Sequence, residues 1–303
     1  MWNGEMRSLL SLEELLTLFM SVLYGVASVL VVNRGQTTAL VAMNASIVLA
    51  IVCAAWSSRL THSPLLALVR DWYVVLFLIV IYLENRTLIP LVNPRVYDDL
   101  VMAADRRLFA GHDPTVLVET IMHPALTEVL QLVYASFYLM PLSLCAILYV
   151  SRRKAVFHVC ASTILMGFYA SYIGYYMMPV AGPRYFMDGF HTKNLVGLWA
   201  FEFVRATLDA AEGMMYDCMP SGHTLVSVLT TLLAFRYARA FAGPAAVWTA
   251  ALVFSTVYLR YHYVSDLLAG AVLGVLVFLA GPLLAARYLL GAGGRMVVTR
   301  TAE

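Results

Sequence analysis

Long runs of apolar residues, separated by short polar segments, occupy most of the chain. A helix needs about 20 apolar residues to cross the hydrocarbon core of a bilayer, and about eight of these runs are long enough. The third run is the least apolar, because Arg70 and Asp71 interrupt its first half. The pattern predicts an all-α polytopic membrane helix bundle with about eight transmembrane helices. The predicted spans are residues 15–32, 39–56, 64–83, 126–150, 155–179, 222–240, 243–260 and 263–290.

The composition is that of a protein that resides in lipid. Hydrophobic residues make up 61% of the 303 positions and charged residues only 13%, whereas a soluble domain usually carries about 25% charged residues. The net charge of +2 and the lack of a long basic cluster argue against a nucleic-acid partner. The four cysteines lie far apart and show no Cys-x-x-Cys spacing. We therefore expect no disulfide framework, no metal site and no cofactor.

The short loops predict the orientation of the chain in the membrane. Basic residues are enriched in short cytoplasmic loops, and Arg152-Arg153-Lys154 lies between the fourth and fifth predicted spans. Counting outward from this turn places both termini on the cytoplasmic side. The same count places the starts of the sixth and eighth spans on the outer side, together with the long segments 84–125 and 180–221.

Segment 84–125 carries charged residues among apolar ones, which is typical of an amphipathic helix lying on the membrane surface. We expect these charged residues to form a solvated face that anchors the helix, rather than to take part in catalysis. The charged residues are Asp98, Asp99, Asp105, Arg106 and Arg107.

The segment Pro220-Ser221-Gly222-His223 lies where the sixth predicted span begins. Proline suits the first turn of a helix, glycine allows close approach to the backbone, and the free N–H groups of a helix start bind anions. The Ser221 hydroxyl can add a donor, and we expect His223 to point into the same site. The segment is therefore a candidate phosphate site, although by itself the pattern is typical of a capped helix with a packing histidine.

His262 and Asp266 lie four residues apart at the start of the eighth predicted span, a spacing that places both on one helical face. A carboxylate bonded to one ring nitrogen fixes the tautomer and leaves the other nitrogen's lone pair free. We expect His262 to attack phosphorus, Asp266 to align it, and His223 to act first as general acid and then as general base. The alternative is a His–Asp pair at the membrane interface in which each side chain only serves as the hydrogen-bonding partner of the other.

Arg184 lies at the outer end of the fifth predicted span, within Ala181-Gly182-Pro183-Arg184-Tyr185. A guanidinium at this place can donate two hydrogen bonds to phosphate oxygens and neutralise negative charge in the transition state. Alone, the residue is typical of an interface anchor. Beside the two histidine segments, phosphate binding becomes the favoured interpretation.

These three segments, in this order, resemble the motifs of the type 2 phosphatidic acid phosphatase superfamily. The second motif matches in full at residues 220–223, and the third matches at Ser255, His262 and Asp266. The resemblance implies a six-helix core, metal-independent catalysis through a phosphohistidine, a lipid phosphate substrate and a site that faces the periplasm or lumen. The predicted regions are two N-terminal helices in residues 1–62, the core in residues 63–290 and a cytoplasmic tail in residues 291–303.

The chain departs from the family pattern in two motifs. Met177 stands where the first motif has a lysine, and the proline precedes Arg184 rather than following it. Thr256 stands where the third motif has an arginine, and we interpret Arg260, two residues before His262, as its substitute in binding phosphate. Positions two apart do not share a helical face, so Arg260 can serve only if the chain turns between the last two spans. We expect that turn.

Further stretches resemble inositol phosphorylceramide synthases and their bacterial relatives, over roughly residues 64–290. This second resemblance implies a phosphoalcohol headgroup transferase of sphingolipid synthesis, with membrane lipids as partners and a lipid alcohol as acceptor. It also implies a location in the bacterial inner membrane, with the site on the periplasmic face. The stretches that carry it are residues 70–72, 108–114, 182–184 and 260–263.

The sequence leaves three functions open. A lipid phosphatase would resolve the phosphohistidine with water, whereas a phosphotransferase would resolve it with an alcohol. The superfamily motifs favour the phosphatase, whereas the resemblance to inositol phosphorylceramide synthases favours the phosphotransferase. The third alternative is a non-enzymatic lipid transporter or scaffold, with Asp71, Glu84 and Glu128 lining its path.

Overall fold

A computed structural model describes residues 9–31, 34–61, 63–211 and 216–291 of the chain. The two termini, and nearly all of the predicted tail at residues 291–303, lie outside the described residues, so their cytoplasmic location stays a prediction. The division of the chain into three regions also stays a prediction. The helices are α1 (Leu12–Val31), α2 (Arg34–Leu60), α3 (Pro64–Trp72), α4 (Val74–Val92), α5 (Asp98–Leu108), α6 (Pro114–Leu117), α7 (Pro124–Ala135), α8 (Leu139–Val150), α9 (Lys154–Met177), α10 (Pro183–Phe186), α11 (Phe201–Ala211), α12 (Gly222–Tyr237), α13 (Arg239–Tyr258) and α14 (Val264–Gly291).

The described part of the chain is a helical membrane bundle, which confirms the predicted all-α class. Its extended pairing is limited to an isolated parallel bridge between Val180 and Asp217. Within the described ranges, six helical segments are long and apolar enough to cross a membrane, and α3 and α4 together form one of them. The α7–α8 pair makes a seventh if a bent pair counts as one span.

Two predicted spans differ from simple straight crossings. The span predicted at 126–150 is broken into α7 and α8, which are bent by 50° at the break. The span predicted at 222–240 is α12, which has only 16 residues and reaches about 24 Å at about 1.5 Å per residue. Helix α12 packs against α9, α13 and α14, and most of its side chains are buried. Because neighbouring helices rather than lipid surround it, α12 does not need to match the thickness of the bilayer.

Helices α12 and α14 pack closely because α14 presents two glycines to α12. A Cβ atom on Gly270 would collide with the backbone carbonyl of Ser221, and one on Gly274 would lie 2.8 Å from the carbonyl oxygen of Leu225. Small residues four positions apart allow such close approach of membrane helices. The two glycines therefore serve packing within the chain.

Two aspartates of α5 are buried, so the predicted solvated face is wrong for them. Asp98 is 0% exposed and Asp105 is 1% exposed, whereas Asp99 and Arg107 are exposed as predicted. Asp98 accepts the backbone N–H groups of the two residues that precede α10, each at 2.8 Å. Asp105 accepts the first two backbone N–H groups of α14, at 2.8 and 2.7 Å. Both carboxylates are buried because backbone donors replace water around them.

The three carboxylates proposed for a transport path have separate partners. Glu84 accepts the side-chain amide of Asn44 at 2.8 Å, and Asp71 accepts the ammonium of Lys154 at 3.0 Å. Glu128 accepts four consecutive backbone N–H groups at the start of α11. Each carboxylate thus has a local structural role, which does not favour a common path.

The close contact between α12 and α14 predicts the effect of adding a methyl group there. Gly270→Ala should lower the free energy of unfolding by about 1–3 kcal/mol, because the new Cβ has no space beside Ser221. Gly243 of α13 is the matched control, since a Cβ there meets nothing within 4 Å. Gly243→Ala should be neutral or stabilise the helix by up to about 1 kcal/mol. Thermal unfolding in detergent measures both, and equal tolerance of the two changes would contradict the observed packing.

Candidate active site

Helix α12 begins at the serine-containing motif. Ser221 is its N-cap, and the Ser221 hydroxyl accepts the backbone N–H of Thr224 at 3.3 Å, as serine commonly does at this position. Pro220 therefore precedes the helix, and its predicted place in the first helical turn is wrong. His223 lies in that first turn, at the outer end of the helix in the predicted topology.

The chain turns sharply between α13 and α14, as predicted. The backbone N–H groups of Tyr261 and His262 both donate to the carbonyl of Thr256, at 2.8 and 3.1 Å. Arg260 has a φ of +68°, a left-handed conformation that residues other than glycine rarely adopt. His262 consequently lies just before α14 and Asp266 in its first turn, so the two do not share one continuous helix.

The turn and the two helix starts bring the three predicted catalytic residues together. His262 Nε2 lies 3.3 Å from His223 Nδ1, and His262 Nδ1 lies 3.4 Å from Oδ2 of Asp266. The same Asp266 oxygen accepts the backbone N–H of Tyr263 at 3.0 Å, which holds the carboxylate beside the ring. One imidazole is thus placed between a carboxylate and a second imidazole.

The surroundings of His262 favour its neutral form. The residue is 4% exposed, and this loss of water lowers the pKa of His262 to about 4, although the Asp217 carboxylate favours the charged ring. At neutral pH the ring therefore keeps a nitrogen lone pair, which a nucleophile requires. The ring of Tyr134 stacks on His223 with the centroids 4.6 Å apart, and this packing holds the second imidazole.

A cavity of about 40 Å³ is lined by both histidines. Its other described lining residues include a cysteine and several tyrosines. Concave sites with a few convergent polar groups are the usual places where proteins bind small ligands. The charged residues that line the cavity are Arg184, Asp209 and Asp217.

Arg184 lies in this cavity, together with the histidines, as the predicted phosphate ligand should. Its guanidinium donates to the carboxylate of Asp209 in α11 and lies 5.4 Å from the ring centroid of Tyr261. A phosphate oxygen that binds Arg184 must therefore share the guanidinium with Asp209 or replace that carboxylate.

The other predicted phosphate ligands, Arg260, Ser221 and Gly222, are not among the lining residues of the cavity. Arg260 donates to the carboxylate of Glu119 at 2.9 Å and to the backbone carbonyl of Lys193. Ser221 is 0% exposed, and a Cβ on Gly222 would collide with a tyrosine hydroxyl of α9. Their phosphate contacts stay predictions, and the observed contacts favour structural roles.

Asp217 and Tyr82 line the cavity although neither is among the predicted site residues. The Tyr82 hydroxyl donates to Asp217 Oδ2 at 2.6 Å. Asp217 lies three residues before Pro220, so an acidic residue beside a motif was an available signal. Tyr82 lies far from the motif segments in sequence, and Asp209 belongs to no recognisable motif. No sequence signal therefore identifies either residue.

Cys218, His262 and Asp266 form a group that can hold a metal ion, although the sequence predicts none. One ligand atom from each residue lies within 4.8 Å of the others, and all three residue types are zinc ligands. The Cys218 thiol, however, donates to the backbone carbonyl of Tyr261 at 3.3 Å. Burial raises the pKa of Cys218, which favours the thiol over the metal-binding thiolate. Metal-independent catalysis stays a prediction.

Comparison with known proteins supports the superfamily resemblance. The chain matches the family model described as the PAP2 superfamily over residues 99–280, which is more than half of its length. It is also similar to a PA-phosphatase related-family protein of Dictyostelium discoideum, with 26% identity over 176 residues. That match covers 51% of this chain and 32% of the relative, so the chain spans about a third of the relative's length. No solved structure matches the chain.

The different positions of the two arginines predict different effects on a phosphate mimic. Arg184→Ala should raise the inhibition constant of vanadate about tenfold or more, because a charged donor is removed from the cavity. Arg260→Ala is the matched control and should change that constant by less than about threefold. It should instead lower thermal stability, because Glu119 loses its cation. An unchanged vanadate constant in Arg184→Ala would remove this residue from the site.

Proposed function

Because the chain belongs to the PAP2 superfamily, which indicates a lipid phosphatase-type function, we propose that it cleaves a lipid phosphate or diphosphate through a phosphohistidine. His262 is the nucleophile, Asp266 orients it, and His223 is the general acid and base. The enzyme is an integral membrane protein, its substrate comes from the bilayer, and the mechanism uses no cofactor.

The observation that carries this proposal is the 3.3 Å separation of His262 Nε2 and His223 Nδ1. An in-line displacement places the nucleophile and the proton donor on opposite sides of one phosphorus atom, so the contact supports a shared site whose two nitrogens separate when the phosphoryl group enters between them. The Asp266 carboxylate beside Nδ1 of His262 favours a proton on that nitrogen, which leaves the Nε2 lone pair on the side of His223. The geometry therefore supports attack by Nε2.

In the first step, His262 Nε2 forms a bond to phosphorus as the bond from phosphorus to the leaving oxygen breaks. The leaving oxygen keeps the electron pair of that bond and takes a proton from the imidazolium form of His223, which becomes neutral. The positive charge that develops on His262 is stabilised by Asp266, and Arg184 is the candidate cation for the charge on the phosphoryl oxygens. The product of this step is a phosphohistidine and a lipid alcohol or phosphate.

In the second step, water gives a proton to His223 while its oxygen attacks phosphorus. The bond between phosphorus and Nε2 breaks, and its electron pair returns to His262 as the neutral ring. The two histidines are then in their starting protonation states. The same two residues therefore serve both halves of the reaction, as general acid–base catalysis by one group allows.

We place the site on the periplasmic side of a bacterial inner membrane. Arg153, in the predicted cytoplasmic turn, donates to the backbone carbonyl of Tyr237, the last residue of α12. His223 lies in the first turn of the same helix, so the basic turn and the histidines are at opposite ends of α12. Because basic residues are enriched on the cytoplasmic side, this arrangement favours an outward-facing site.

A second candidate function is transfer of the phosphoryl or phosphoalcohol group to a lipid hydroxyl, as in inositol phosphorylceramide synthases. The motif stretches that resemble those enzymes favour it, and the two histidines would activate an alcohol as they would water. Incubation with phosphatidic acid, a polyprenyl diphosphate and phosphatidylinositol separates the two functions. Release of free phosphate supports hydrolysis, and headgroup movement without free phosphate supports transfer.

Replacement of the nucleophile or its orienting group tests the proposed mechanism. His262→Ala should lose about a thousandfold or more in turnover, because nucleophile and base act as a unit. Asp266→Asn should keep the fold and lose about a hundredfold or more, because it no longer favours the required tautomer. Acid-quenched protein from a radiolabelled substrate should carry phosphohistidine in the wild type and none in His262→Ala. Turnover near the wild-type rate in either variant would exclude the role assigned to that residue.

Removal of divalent ions tests whether the cysteine-containing group holds a catalytic metal. Turnover should continue in an excess of EDTA, because each proposed step uses only protein groups. A strict requirement for an added divalent ion would assign a metal to Cys218, His262 and Asp266 and overturn the metal-free mechanism.

A further inference from the structure

The guanidinium of Arg184 already has a partner in the cavity where the proposed mechanism places a phosphate. It donates to Oδ2 of Asp209, a residue of α11 that also lines the cavity. Carboxylate and phosphate oxygens are alternative acceptors for the same N–H groups, because arginine binds both kinds of anion. A phosphate that enters the cavity therefore competes with Asp209 for Arg184, and the displaced carboxylate needs a new partner.

Asp209 has a second oxygen that is not satisfied in this structure. Its Oδ1 is buried and has no hydrogen-bond partner among the described residues, while Oδ2 accepts from Arg184. A buried carboxylate oxygen without a donor is costly. Displacement from Arg184 would therefore remove the one donor that the carboxylate has, unless a second cation lies within reach.

That second cation is Arg205, which lies four residues before Asp209 and on the same face of α11. Within the described part of the chain its guanidinium forms no hydrogen bond or ion pair, and it lies 5.5 Å from the ring centroid of Phe201. Burial and the charge of Arg184 lower the pKa of Arg205, whereas the charge of Asp209 opposes this change. The three charged side chains are therefore close enough to act on one another.

We propose that Arg205 is a positioning residue of the phosphate site, and that the Asp209 carboxylate moves to Arg205 when a phosphate binds Arg184. This inference rests on the proposed function and concerns the control of substrate binding at the same site. Arg205 does not touch the phosphate and transfers no proton. It acts through Asp209, because it offers the displaced carboxylate a new ion pair in place of the lost one.

The exchange of partners lowers the cost of admitting a phosphate. Without a second cation, the displaced carboxylate would stay beside the bound phosphate and repel it, or would be left to water. The Asp209 side chain is 36% exposed, so water is the alternative receiver. The two receivers lead to different results, since only the ion pair depends on the charge of Arg205.

A double-mutant cycle on vanadate binding tests the exchange. Vanadate is a phosphate mimic, and its dissociation constant follows from the thermal stabilisation of the protein in detergent, without any turnover. Asp209→Asn should bind vanadate about fivefold or more tightly than the wild type, because the competing carboxylate is gone. Arg205→Gln should bind it about fivefold or more weakly than the wild type, but in the Asp209→Asn background it should change the constant by less than about twofold.

Glu202→Gln is the matched control. Glu202 is an exposed carboxylate of the same helix that acts on the charge of Arg205, but it does not line the cavity. Its replacement should change the vanadate constant by less than about twofold. Arg205→Lys should retain most of the wild-type affinity, because a single ammonium can receive a carboxylate. Arg205→Met gives the same comparison if the glutamine variant does not fold.

Several results would overturn the inference. An equal loss of affinity from Arg205→Gln in both backgrounds would mean that Arg205 binds the phosphate directly, and no loss in either would mean that water receives Asp209. An unchanged constant in Asp209→Asn would mean that this carboxylate does not compete.

A wild type that binds no vanadate would remove the phosphate site and this inference with it. Failure of the proposed mechanism alone looks different. In that case His262→Ala would retain turnover while the vanadate cycle, which needs no turnover, could still show the exchange. Failure of this inference alone leaves the requirement for His262 intact.

Discussion

The catalytic geometry depends on the close contact between the starts of α12 and α14. The backbone N–H of Ser221 donates to the carbonyl of Asp266 at 3.0 Å, and Gly270 leaves no space for a side chain beside Ser221. His223 follows Ser221 closely and His262 precedes Asp266 closely, so this main-chain contact sets the distance between the two imidazoles. Gly270 need not touch a substrate to matter for the site, because a side chain there would collide with the backbone of Ser221 and move the two helix starts apart.

Buried carboxylates hold the connecting segments around this contact. An ionised carboxylate in apolar surroundings is costly unless donors satisfy it. Asp98, Asp105 and Glu128 accept backbone N–H groups, while Glu119 accepts those of Thr192 and the guanidinium of Arg260. Backbone groups in irregular segments and at helix starts need such partners. The face of the bundle that carries the two histidines is therefore held by bonds from side chain to main chain as much as by apolar packing.

The sequence predicted those features that depend on neighbouring residues. Apolar length located the helices, and the serine motif and the His–Asp spacing selected the residues that the structure brings together. Burial of Asp98 could not be predicted, because its donor at residue 181 lies 83 positions away in sequence. The pairing of Asp217 with Tyr82 spans 135 positions and carries no local pattern. The short length of α12 was likewise hidden, since its apolar run continues into α13 and only tertiary packing shows that neighbouring helices surround it.

The pairing of Arg184 with Asp209 distinguishes substrate binding from catalysis. An arginine that already has a carboxylate partner gains little when a substrate phosphate arrives, because one anion replaces another. The gain would grow as negative charge accumulates on the phosphoryl oxygens during the proposed attack by His262, and interactions that strengthen in the transition state are the ones that raise the rate. A strongly positive cavity would instead hold the substrate and the released phosphate tightly. In the proposed mechanism, the pairing of Arg184 with Asp209 would therefore favour turnover over retention of the product.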